Sequence, residues 1–188
     1  MGHRIRYALE RSNDVKLKGI VEVDETYIGG KAKGKRGRGS DKKMVAASLV
    51  SRDGEVRSVP IKNLTSKTLK QFIRQNVDLS SFIMTDDFKS YRGLENEFSG
   101  HGIIKHSQKE YSSGIIHTNT IEGYFSILKR GINGTFHHIS EKHLGFYLNE
   151  FDFRYNCRKL GDSDRTIVAM RCIDGKRLFY RDSLGRMN

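Results

Sequence analysis

Three acidic residues, Asp24, Asp86 and Glu122, occupy places from which side chains can converge, and carboxylates are hard oxygen ligands. Asp24 lies within Ile-Val-Glu-Val-Asp-Glu-Thr-Tyr-Ile, an alternating run rich in β-branched residues that predicts a strand. On a pleated strand Glu22 and Asp24 point to one face, while Val21 and Val23 point to the other. An acid in a central strand is costly unless a cation or donors meet it. Asp86 directly follows the apolar run Phe-Ile-Met-Thr, and ligand-binding side chains in α/β sheets collect where strands end. Glu122 falls in the first turn of a helix expected from Asn119. Carboxylates from three separate elements suit Mg²⁺. Two such ions, roughly 3.5–4 Å apart, stabilise both the attacking and the leaving oxygen of an in-line phosphoryl displacement. Plainer roles exist beside this one. Glu22 reads best as part of a solvated acidic face, Asp87 as a cap for the turn after it, and Asn119 with Glu122 has the spacing of a capping box.

The elements that must position these groups follow from periodicity and breakers. Residues 1–18 are charged with a short apolar stripe (Ile5, Leu9) and form a helical lead-in. Strands are expected over 19–28, 44–51 and 55–61, the last two joined by the Asp53-Gly54 hairpin signal. Ser66 can cap a helix whose apolar face is Leu69, Phe72, Ile73 and Val77. A strand over 82–85 ends at Asp86, and a weaker one covers 103–106. Helices are expected from Asn119 to about Arg130, from Ser140 to about Arg158, and from Asp164 to Cys172. The expected order is strand-strand-strand-helix-strand-helix-strand-helix-helix. A meander followed by alternating elements is the ribonuclease H-like arrangement: an α/β fold with a mixed five-stranded sheet flanked by helices. The expected organisation is a lead-in over 1–18, a catalytic domain over 19–158 and a C-terminal helical extension over 159–188.

The 188 residues carry 34 Lys and Arg against 22 Asp and Glu, a net charge of +12, which implies a polyanionic partner such as nucleic acid. The cations concentrate after the first strand. Lys31, Lys33, Lys35, Arg36, Arg38, Lys42 and Lys43 stand among glycines, a loop able to track a phosphate backbone without sequence preference. His117, His137 and His138 could touch phosphate or sugar. The stripe Phe146, Tyr147, Phe151, Phe153 and Tyr155 reads as core or dimer packing. The two cysteines, Cys157 and Cys172, form no C-x-x-C pair and read as reduced core residues rather than zinc ligands. No apolar run approaches a membrane span and no signal-peptide core is present, so a cytoplasmic protein is expected.

Three blocks then take on a joint meaning. They are Val-Glu-Val-Asp24-Glu-Thr-Tyr-Ile-Gly-Gly, Thr-Asp86-Asp-Phe-Lys-Ser-Tyr-Arg-Gly-Leu, and His-Thr-Asn-Thr-Ile-Glu122-Gly-Tyr-Phe-Ser-Ile-Leu-Lys129-Arg-Gly. In that order they resemble the signature blocks of bacterial insertion-sequence transposases of the DDE type, the group related to the eukaryotic Merlin transposons. Glu122 follows Asp86 by 36 positions (122 − 86), leaving 35 residues between them, an interval shared with many DDE transposases. Lys129 lies two helical turns beyond Glu122, on the same helix face. The resemblance implies a polynucleotidyl transferase using two Mg²⁺ or Mn²⁺ ions held by Asp24, Asp86 and Glu122. Lys129 and Arg130 would hold DNA, and Asn119 is a second candidate for the third position. It also implies transposon-end and target DNA as partners, a homodimer or higher oligomer on DNA, and a place at the bacterial nucleoid. Relatives carry a DNA-binding segment ahead of the first aspartate. With 23 residues before Asp24, none of them cysteine, a truncated chain is expected here. The alternatives are a catalytically silent remnant that only binds DNA, or a structure-specific nuclease on the same fold.

Binding that rests on the 31–43 cations must weaken with salt. Substituting Lys33, Lys35, Arg36 and Arg38 by Ala is expected to flatten the log affinity–log salt slope on duplex DNA by about 0.9 per lost phosphate contact. Titrations at several salt concentrations measure this directly, and a slope unchanged by the four substitutions contradicts it.

Overall fold

The structure, a computed structural model, describes residues 2–10, 15–29, 43–52, 54–104, 117–177 and 179. A short helix α1 (Gly2–Ala8) precedes β1 (Ile20–Ile28), β2 (Met44–Ser51) and β3 (Val56–Ile61). Helix α2 (Ser66–Asn76) leads to β4 (Phe82–Asp86), and two 3-10 turns (Lys89–Tyr91, Leu94–Asn96) lead to β5 (Gly100–Ile104). Then come α3 (Asn119–Gly131), a π-helical turn (Ile132–Phe136), α4 (Leu144–Asn156) and α5 (Asp162–Ile173).

The strands form one mixed sheet in the order β3-β2-β1-β4-β5. β1, β2 and β3 are antiparallel neighbours, while β4 pairs parallel to β1 and β5 parallel to β4. This is the ribonuclease H-like sheet expected from the element order. Pro60, which cannot donate to a ladder, sits on β3 at the sheet's edge.

Strand alternation sorts the core into two layers. Val21, Val23 and Ile83 point to the α2 side and pack with Leu69, Ile73, Tyr91 and Leu94. Ile28, Ala46 and Val56 point the other way, under Ile121, Tyr124 and Leu128 of α3 and Leu148 and Phe151 of α4. The second layer contains a polar pin. Asp152 of α4 is partly buried and accepts from the Ser58 amide and hydroxyl, both at 2.7 Å, and from the Tyr124 phenol. Burial still pushes its carboxyl up to about 6, against the pull of those donors. α1 is stapled to α4 by Arg6, whose guanidinium pairs with Glu150 at 2.7 Å and lies over the Tyr147 ring.

Several elements differ from the sequence reading. The connection from β4 to β5 is two 3-10 turns rather than a helix. β5 begins at Gly100 because its ladder with β4 runs from Phe82↔Gly100 to Asp86↔Ile104. Gly100 has room only for hydrogen, since a Cβ there would fall 2.5 Å from the Phe82 ring. Residues 105 and 106 of the expected strand lie outside the described residues. Thr65, not Ser66, caps α2, its hydroxyl accepting from the Thr68 amide at 3.2 Å. The helix expected from Ser140 opens with a 3-10 turn and ends at Asn156, and Arg158 instead donates to the Gly54 carbonyl across the fold. Phe151 of the aromatic stripe is core, and both cysteines are free thiols, partly buried.

Removing the buried Tyr124 hydroxyl takes one donor from the Asp152 carboxylate. Tyr124→Phe is expected to cost about 1–3 kcal/mol, read as a melting temperature lower by roughly 2–4 °C per kcal/mol. An unchanged melt would show that Ser58 alone satisfies Asp152.

Candidate active site

β1 and β4 bring the two aspartates side by side. Their parallel ladder pairs Val21 with Ile83 and ends with Glu22 and Met84, two residues before Asp24 and Asp86, whose carboxylate acts on that of Asp24. Adjacent strands lie about 4.8 Å apart, and both side chains leave the sheet on the face that α3 covers. β4 stops here because the Asp86 carboxylate turns back to accept the Phe88 amide at 3.0 Å. That local bond, expected of Asp87, belongs to Asp86, and Asp87 is exposed.

Asp24 is half-buried and accepts the Glu25 amide at 2.7 Å. Burial raises its carboxyl to about 7, and the negative neighbours Glu25, Asp86 and Glu122 add to the rise. Asp24 thus feels the other two expected site acids, as well as one that went unsuspected. Glu25 leaves the opposite face of β1, where the buried Tyr91 phenol donates to its Oε2 at 2.8 Å. Burial, then Glu25, Asp24 and Asp86, hold the Tyr91 hydroxyl well above its usual range.

Glu122 stands exposed in the first turn of α3. No capping box forms: Asn119 is the first helical residue and exposed, while the Thr118 hydroxyl donates to Glu122 Oε1 at 3.2 Å. Asn119 and Glu122, three residues apart, share one side of the helix. Lys129 and Arg130 are exposed in the last turn of α3.

Glu22 is not the solvated acid the strand pattern suggested, for its side chain is fully buried. Its Oε2 accepts the Ile121 amide at 3.0 Å, and its Oε1 accepts the Thr120 hydroxyl at 2.9 Å and Arg52 Nε at 3.1 Å. Arg52 also donates to the His117 carbonyl at 3.1 Å, and His117 Nδ1 lies 3.3 Å from Glu22. His117 therefore serves this cluster, whereas His137 and His138 are exposed. Neither Arg52, in a turn, nor Thr120, beside the glutamate of interest, carries a local signal for this role.

Of the basic loop, Lys31, Lys33, Lys35, Arg36, Arg38 and Lys42 lie outside the described residues. Lys43 is described and partly buried. The loop is rooted where Ile28 pairs with Met44, at the C-terminal end of β1. Among the described residues no three His, Cys, Asp or Glu side chains are grouped to hold a metal ion. The donors are chemically right for a hard cation, and their crowding is of the kind a cation relieves. They do not close around one point. Among the described residues no helix is long and apolar enough to cross a membrane.

Residues 16–156 match the family model described as the ISXO2-like transposase domain. The chain is 28% identical over 155 residues to an uncharacterized protein in transposable element ISH50 of Halobacterium salinarum, covering 73% of this chain and 52% of that one. It is 34% identical over 103 residues to an uncharacterized transposase-like protein of Haemophilus influenzae, covering 54% of this chain and 81% of that one. It thus spans about half the length of the Halobacterium relative. Against a pre-cleavage Mos1 transpososome the TM-score is 0.33 at 14% identity, over 95% of this chain and 64% of that one, a likeness too slight to support any argument.

Because the folded state holds the Asp24 proton more tightly than the unfolded chain does, Asp24 makes stability fall as pH rises from about 4 to about 7. Asp24→Asn removes that contribution. In EDTA the variant's melting temperature is expected to gain on the wild type across this window and to level off above pH 7. A variant less stable at every pH would make Asp24 a structural acid bonded to buried donors.

Proposed function

The chain belongs to the ISXO2-like transposase domain family, and from that premise we propose that it carries the metal-dependent catalytic site of a DNA transposase. The observation that supports this most is the electrostatic meeting of Asp24 with Asp86 and Glu122, residues from two strands and a helix. Asp24 and Asp86 would hold Mg²⁺ or Mn²⁺, Glu122 would complete the set and help orient the nucleophile, and Asn119 is the alternative for that third place. Two such ions, when bound, supply the positive charge that stabilises the attacking and leaving oxygens of a phosphodiester.

The protein groups supply position. Lys129, two turns beyond Glu122, holds a DNA end against the acids, with Arg130 beside it. The 31–43 cations follow the phosphate backbone from the end of β1. The reaction at an element's end replaces a phosphorus–O3′ bond with a bond to water oxygen, freeing a 3′-hydroxyl. In strand transfer that 3′-oxygen attacks a target phosphorus and displaces the target's own 3′-oxygen. Residues 19–158 form the catalytic unit, residues 1–18 lead into it and residues 159–188 extend it. A homodimer or larger assembly on DNA accounts for joining two ends.

The test uses oligonucleotides bearing the element's own ends, with Mg²⁺ or Mn²⁺. Asp86→Asn and Glu122→Gln are each expected to lower cleavage by more than the roughly 10–100-fold that outer-shell substitutions cost, with duplex affinity retained. Asn119→Ala decides the third position: a loss as deep as that of Glu122→Gln moves the assignment to Asn119. Cleavage without strand transfer would identify a nuclease. DNA binding with no cleavage by the wild type would identify a silent remnant.

A further inference from the structure

We infer that Glu22 is a positioning residue for the acidic site: by gripping the first turn of α3 it sets the rotation of that helix, and so the direction in which Glu122 leaves it. The inference rests on the reading of Asp24, Asp86 and Glu122 as the reactive set. Glu22 precedes Asp24 by two residues on the same face of β1, so one strand carries both a reactive acid and the anchor for a second. Its grip is placed close to Glu122. The Ile121 amide and the Thr120 hydroxyl, which it accepts, belong to the two residues immediately before Glu122. Arg52, which it pairs with, holds the His117 carbonyl at the entry to the helix.

An α-helix turns about 100° per residue. Exchanging the Ile121 amide for a neighbouring one would therefore swing Glu122 by about that angle, away from the aspartates. The buried face of Ile121, Tyr124, Phe125 and Leu128, with the Tyr124 phenol on Asp152, opposes a full roll of the helix, and the Glu22 bonds set the finer rotation of its first turn. A bond from one named amide to one fixed carboxylate oxygen is directional. Stability alone does not call for this arrangement, because buried ion pairs replaced by apolar residues of like volume often leave proteins as stable or more so. What an apolar replacement could not do is choose one amide of α3 over the next.

Glu22→Gln keeps the volume and one acceptor oxygen but loses the pairing with Arg52. Thr120→Val removes one donor without changing shape, and serves if the first variant fails to fold. In the full chain, two quantities are compared with wild type and with Asp24→Asn: hydrogen exchange of peptides covering 117–125, and Mn²⁺ affinity followed by electron paramagnetic resonance. Both test variants are expected to exchange faster over 117–125 while β1 and β4 stay protected. Mn²⁺ binding should weaken by about 10–100-fold for Glu22→Gln, the range for outer-shell partners of metal ligands, and less for Thr120→Val. Faster exchange with unchanged Mn²⁺ affinity makes Glu22 a structural anchor and overturns the inference. So does unchanged exchange over 117–125. If the wild type binds no Mn²⁺, or Asp24→Asn binds it equally well, the acidic-site reading fails instead, and the exchange data still report whether Glu22 holds α3.

Discussion

A carboxylate with no exposure to water ties the helical layer of this protein to its sheet. Glu22, in the middle of the central strand, receives a backbone amide, a hydroxyl and a guanidinium, and all three come from elements distant in sequence. Burying such a charge costs several kcal/mol unless donors replace the lost water. Here the replacement donors are the start of α3 and the turn after β2. The sheet, the turn and the helix are thereby made to depend on one another: displacing α3 would leave a charge in a dry interior. The geometry of the acidic site inherits this constraint, because Glu122 is the next residue after the amide that Glu22 holds.

A second, partly buried acid works in the same layer by the same logic. Asp152 draws the Ser58 amide and hydroxyl and the Tyr124 phenol together, joining α4, β3 and α3. Ser48 Oγ, 2.8 Å from Ser58 Oγ, extends the cluster to β2. The layer under α2 rests mostly on apolar contacts such as those of Leu69, Ile73 and Ile83, with the Glu25 carboxylate at its rim receiving the Tyr91 phenol.

Much of this organisation was legible in the residues. β-branched alternation marks β1, and apolar runs mark β2 and β4. Their bounds came out within a residue of expectation because local preference and tertiary pairing agree there. β5 was misread by three residues at its start, since Gly100 and Gly102 look like breakers until the Phe82 ring, which needs a neighbour without a side chain, is taken into account. Asp24 and Asp86 could be singled out by their places on strands, β1 and the end of β4. The burial of Glu22 could not be read, because alternation says which face a side chain takes and not what lies above that face. The donors sit 30, 98 and 99 residues away along the chain. Glu25 was hidden for a like reason: its partner Tyr91 is 66 residues distant and comes from beneath the sheet.

Two carboxylates on one strand face, two residues apart, therefore meet opposite fates. Glu22 is surrounded by donors, and its charge is spent on holding structure. Asp24 receives one amide and faces three further acids, so that burial and repulsion raise its carboxyl to about 7. A fold seeking only stability would have filled position 24 with an apolar residue, as it did at Val21 and Val23. The charged groups that act most on Asp24 among the described residues are acids, Glu25, Asp86 and Glu122, in a chain whose net charge is +12. In the sequence, basic residues cluster over 31–43, while Lys129 and Arg130 are exposed in the last turn of α3. The burial that spends the Glu22 charge on structure leaves Asp24 with a repulsion that a nearby positive charge would relieve.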